Sequence, residues 1–92
     1  MKFIYPAVFR RTENGNYEAS FPDLAGCHAQ GDTLEDAVED ASEAVLDWIS
    51  VEMEEETPHF PPVTDIRDIN PAENETVRNI AVTYRFYDGW EE

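Results

Sequence analysis

The chain has 92 residues, with 21 acids against six Lys and Arg, a formal charge of −15 and a pI near 4.1. That is one small domain with a thin core, since a chain of this size buries only about 60–65% of the surface it exposes when unfolded; dehydrogenases, kinases and barrel enzymes need more chain. The acidity argues against nucleic acid as a direct ligand, because phosphate binding is driven by Lys and Arg that release counterions. A hydrophobic content of 41% argues equally against a disordered chain.

In chain order, Phe3, Tyr5, Ala7 and Phe9 alternate with Ile4, Pro6, Val8 and Arg10, a period of two that predicts a strand. Pro6 has no N–H, so an edge or bulge is expected at that point. Glu13-Asn14-Gly15-Asn16 predicts a hairpin turn. Tyr17, Ala19 and Phe21 give a second strand antiparallel to the first, ended by Pro22-Asp23, and Cys27 to Gln30 a short third strand before Gly31. After the helix described below, Thr57 to Pro62 holds three prolines and predicts an extended connector. Val63 to Glu75 is polar, with Pro71 inside it, and is read as the rest of that connector. From Thr76, the set Ile80, Val82, Tyr84 and Phe86 alternates with Asn79, Ala81, Thr83 and Arg85, a late strand closed by Asp88-Gly89. The organisation expected is a single domain over 1–92, with a core over 2–53, a connector over 57–75 and a C-terminal strand over 76–88.

Charge is concentrated between the third and the late strand. Residues 32–56 hold eleven acids and no Lys or Arg, while residues 1–31 balance to zero. Leu34, Ala37, Val38, Ala41, Val45, Trp48, Ile49 and Met53 follow the three-and-four spacing of one buried helical stripe. Gly31-Asp32-Thr33 supplies the stop and the cap, and Thr33 with Asp36 resembles a capping box. Asp32, Glu35 and Asp36 suit the positive end of the helix dipole, whereas Glu52 and Glu54 to Glu56 crowd the negative end, each at a cost of about 0.3–1 kcal/mol. Like-charged pairs such as Glu35–Glu39 and Glu39–Glu43 add small penalties. A helix shaped for stability alone would include Lys. The plain reading is a solvated face; the sharper one is a surface kept for a cationic partner, formed by Glu35, Asp36, Glu39, Asp40, Glu43 and Asp47.

Catalytic chemistry is not assembled by these residues. Asp23, Asp32, Glu35 and Asp36 could be imagined around a metal, but turns and helix caps favour the same residue types. Cys27 and His28 are neighbours on a strand, point to opposite faces, and form no nucleophile–base pair. Zinc spacing, a phosphate-cradling glycine loop and a nucleophile elbow are missing. Neither a catalytic residue nor a cofactor nor a metal is expected. No apolar run reaches the roughly 18 residues of a membrane span. Pro6 comes too early for a signal peptide, and one cysteine makes no internal disulfide, so a cytoplasmic setting is expected.

Tyr5-Pro6-Ala7-Val8-Phe9, Gly15-x-Tyr17, Ser20-Phe21-Pro22-Asp23-Leu24-Ala25-Gly26-Cys27 and Gln30-Gly31-Asp32-Thr33-Leu34-Glu35-Asp36-Ala37 together resemble the HicB family of antitoxins, over about half the chain. The resemblance implies an α+β fold, a partial RNase H-like domain with a three-stranded antiparallel sheet, one long amphipathic helix and a late additional strand. It implies no nuclease activity, the family having lost the catalytic carboxylates. It also implies a partner: HicA, a small basic toxin of double-stranded-RNA-binding fold that cleaves mRNA with a histidine. Many members carry a C-terminal DNA-binding domain, and residues 50–92 contain no pattern for a recognition helix, so operator binding by this chain alone is not expected. Three functions follow in descending order. The first is an antitoxin-like module that covers a basic toxin. The second is an orphan HicB-like domain that homo-oligomerises, with Ile80, Val82, Tyr84 and Phe86 in or beside the interface or else packed in the monomer's own sheet. The last is a metal-dependent nuclease.

Overall fold

The computed structural model describes residues 2–84. The alternating apolar residues of the N-terminus build β1 (Lys2–Arg11), which turns at Asn14-Gly15 and returns as β2 (Tyr17–Ser20). Gly15 takes a φ of 87°, and Thr12 and Asn16 close the turn with a backbone hydrogen bond of 2.8 Å, the left-handed geometry that glycine permits. A short β3 (His28–Gly31) pairs antiparallel with β2. It starts one residue later than the spacing suggests, leaving Cys27 in the bend.

The helix α1 (Leu34–Met53) follows at once. Thr33 caps it, its hydroxyl oxygen accepting the Asp36 N–H at 3.1 Å. Gly31 is required by a close approach: a Cβ there would lie 2.3 Å from the Ala37 nitrogen. Ala37, Ala41, Val45 and Ile49 are fully buried against the sheet, where they meet Ala7, Phe9, Ala19 and Ala29. So many alanines on both sides let the helix sit low on the strands. The helix stops at Met53, so Glu54 to Glu56 lie in the turns beyond it.

The late strand is β4 (Glu75–Thr83), antiparallel to β1 over nine consecutive pairs from Lys2–Thr83 to Arg10–Glu75. The sheet thus has four strands in the order β3-β2-β1-β4, with β1 inside it. β2 pairs with β1 only from Val8 onward, so at Pro6 one flank of β1 has no strand partner, a one-sided edge where a missing N–H costs little. Arg85 to Glu92, including Phe86 and the Asp88-Gly89 stop, lie outside the described residues.

The connector is more ordered than its polar sequence suggests. Phe60 packs on Phe3 with ring centroids 4.9 Å apart, and the Tyr5 hydroxyl donates to the Pro61 carbonyl at 2.8 Å. Burial, with Asp23 nearby, raises the Tyr5 pKa. Thr64 is held twice by Asp23, its N–H donating to Oδ2 at 2.8 Å and its hydroxyl to Oδ1. A 3-10 turn (Ile66–Asp68), which no periodicity announces, then lies against β4. Asp65 caps that turn and binds the Arg67 guanidinium at 2.8 Å, which lowers the Asp65 pKa.

Candidate functional site

At 3.6 residues per turn, Glu35, Asp36, Glu39, Asp40, Glu43 and Asp47 fall within an arc of about 140° on α1, opposite the arc of about 120° that holds its four buried residues. All six acids are exposed. Among the described residues the ion pairs are Arg10–Glu18 and Arg67–Asp65, both away from this face. The helix therefore presents a carboxylate surface that the described part of the chain does not neutralise.

Two of the six are also used within the fold. The Asp36 N–H completes the cap. Asp40 Oδ2 accepts the Gln30 backbone N–H at 3.0 Å, tying the helix to β3. Among the described residues, Glu35, Glu39, Glu43 and Asp47 have no such duty. Glu35 and Glu39 face Arg78 across a cleft floored by Leu34 and Val38, beyond ion-pair distance. Arg78 was findable from alternation, which puts it on the helix-facing side of β4 with Ile80 and Val82.

The remaining candidate residues sort by burial. Ile80 and Val82 are 3% and 7% exposed and belong to the main core, the monomer-packing alternative. Tyr84 is half-buried against that core, and Phe86 lies outside the described residues. Asp23 is engaged with Thr64, and the described residues contain no group of three His, Cys, Asp or Glu that could hold a metal ion. Cys27 is a buried free thiol, which burial and the nearby Asp47 charge push up to about 11. His28 is exposed on the sheet, and His59 is exposed in the connector, its backbone N–H donating to Glu52 at 2.9 Å. Sequence reasoning missed an apolar strip beside the acids: Val51 is 64% exposed. It borders a groove with Ala44 and Trp48, and the Trp48 indole N–H donates to the Ala25 carbonyl at 3.2 Å. Among the described residues no helix is long and apolar enough to cross a membrane.

This fold and these motifs have relatives. The UPF0150 protein ssr1765 of Synechocystis sp. is 37% identical over 56 residues, spanning 61% of this chain and 71% of that protein. The N-terminal domain of the Burkholderia pseudomallei antitoxin HicB superposes with a TM-score of 0.76 at 18% identity, covering 88% of this chain and 99% of that one. A chain of the HicA3 and HicB3 toxin-antitoxin complex superposes with a TM-score of 0.67 at 29% identity, covering 84% and 94%. The family model described as HicB_like antitoxin of bacterial toxin-antitoxin system matches residues 5–84. That span runs from β1 through β4 and takes in the helix with its cap and its acidic face: the chain belongs to the HicB-like antitoxin family.

Proposed function

We propose that this chain is the antitoxin half of a toxin–antitoxin pair, a non-catalytic cytoplasmic protein that binds a small basic HicA-type toxin and covers its RNA-binding surface. The observation that carries the reading is the outward face of α1, where exposed carboxylates stand without cationic partners among the described residues. A surface built to hold phosphates accepts carboxylates in their place, and opposite fields speed the encounter. The likeness to a chain of the HicA3–HicB3 complex supports the same partner class.

Magnitudes divide the work between two kinds of contact. Six exposed ion pairs at about 0.2–1 kcal/mol each supply roughly 1–6 kcal/mol. A nanomolar complex needs about 12 kcal/mol. The acids therefore set encounter rate and orientation, and apolar contact supplies the remainder. Val51, with Trp48 and Ala44 beside it, lies on the same side of the helix as Asp47 and is the apolar contact this reading uses.

The test is a titration of the purified chain against the basic protein encoded by the adjacent reading frame, read by RNA cleavage and by calorimetry. Stoichiometric suppression of cleavage is expected, with affinity falling steeply between about 50 mM and 500 mM salt. Absence of binding, or binding indifferent to salt, would end this reading.

A further inference from the structure

Arg78 stands on the helix-facing side of β4, between Thr76 and Ile80 on that face and opposite Ala7 of β1. Ile80 and Val82, next along the same face, are buried, whereas Arg78 is exposed, so the helix ceases to cover β4 at this residue. The space left there is an open cleft of about 550 Å³. Its floor is Leu34 and Val38, both half-buried against the core. One wall carries Glu35 and Glu39, a helical turn apart, and the other carries Arg78. Arg10 and Arg67 each hold a nearby carboxylate, Glu18 and Asp65, but Arg78 makes no ion pair or side-chain hydrogen bond among the described residues. Protection of a strand edge accounts for a charge at this position. It does not account for an apolar floor between walls of opposite sign.

We infer that this cleft sets register and specificity in toxin docking: Arg78 receives a carboxylate of the toxin, and Glu35 with Glu39 receives a toxin cation beside it. The aliphatic stems of both guests lie on Leu34 and Val38. The inference rests on the toxin reading above, and charge complementarity selects this occupant. Glu35 and Glu39 belong at once to the cleft and to the carboxylate face of α1, so a basic surface lying along that face runs into the cleft without a break. There it meets a cation. A uniformly basic surface is repelled at Arg78, and only a toxin with an Asp or Glu set among its basic residues relieves that repulsion. Arginine suits the task, since its fork binds a carboxylate through two parallel hydrogen bonds. One cation thus separates basic partners that the acids alone would accept alike.

The test turns on the sign of an effect. The wild-type chain, Arg78→Ala, Arg78→Lys and Arg78→Glu are each titrated by calorimetry with the basic protein encoded by the adjacent reading frame. Circular dichroism and sedimentation velocity check that fold and association state are unchanged. If net charge alone governed binding, each loss of positive charge would tighten it, because the chain becomes more negative. The cleft predicts the reverse: affinity about tenfold weaker for Arg78→Ala and about 100-fold weaker for Arg78→Glu, with Arg78→Lys between wild type and Arg78→Ala. Replacing the toxin's Asp and Glu residues by Lys, one at a time, should then yield a variant that regains at least about tenfold in affinity toward Arg78→Glu. Unchanged or tighter binding by Arg78→Ala, or the absence of any rescuing toxin variant, overturns the inference while wild-type binding leaves the toxin reading standing. A wild type that binds no toxin removes both.

Discussion

The two faces of α1 are opposites built on one backbone. The inward face is small and sealed: Ala37, Ala41, Val45 and Ile49 touch the sheet and no solvent. The outward face is large, charged and idle, with acids four residues apart that repel one another. Stability selects the first face and gains from the second little beyond the hold of Asp40 on the Gln30 N–H. The lesson is that substitutions on the two faces should separate folding from binding.

The strongest way to test that division is to move a charge to the sealed side. Ala41→Asp buries a carboxylate with no partner, a loss of about 3–5 kcal/mol, most of the stability of so small a domain. Thermal denaturation should show no cooperative unfolding transition. The complementary change is on the idle side. Glu39→Lys, Glu43→Lys and Asp47→Lys together should weaken toxin binding about 100-fold, roughly 3 kcal/mol, with Tm unchanged or slightly raised because repulsive pairs are removed. Asp40 is left out because it holds the Gln30 N–H. A triple variant that bound normally would show that the acidic face is only solvated. Thr33→Ala tests the boundary between the two faces: losing the cap should cost about 1 kcal/mol in denaturant unfolding and leave affinity intact.

The smallest effect concerns pH. Burial holds the Cys27 thiol up at about 11 against an ordinary 9.0. The folded chain therefore keeps a proton that the unfolded chain loses first, so this contribution is complete below about pH 9 and declines as pH rises toward 11. Equilibrium unfolding measured across that window should show declining stability, and Cys27→Ala should flatten the decline. Alkylation at pH 8 should be slow in the folded state and fast after denaturation.

Much of the architecture was legible because periodicity reports burial directly. The alternation from Phe3 to Phe9 and the spacing from Leu34 to Met53 each describe one apolar face, and each became an element. The Asn14-Gly15 turn and the Thr33 cap were readable for the same local reason. What stayed hidden was long-range. Asp23 reads as a turn residue, yet its carboxylate grips Thr64 across the fold. Asp40 reads as one of six equivalent acids, yet it holds a strand N–H. The motifs that carried the family resemblance turn out to be structural: Phe21 and Leu24 are core, Asp23 fastens the connector, Gly31 lets the helix approach, and Thr33 caps it. The helical spacing placed the six acids on one face, but nothing in a run of acids says which ones the fold consumes, as it does Asp40.

The position of β1 has a consequence for biogenesis. It is made first, yet it sits inside the sheet, between a neighbour a few residues away and another that arrives much later, as with Tyr5 beside Ile80. A ribosome-bound chain can close the hairpin early, but the flank of β1 awaiting β4 stays bare until the connector has been synthesised. Closing so long a loop is the slow step in such topologies. A nascent chain halted before β4 would therefore carry an incomplete sheet, a natural target for cellular proteases.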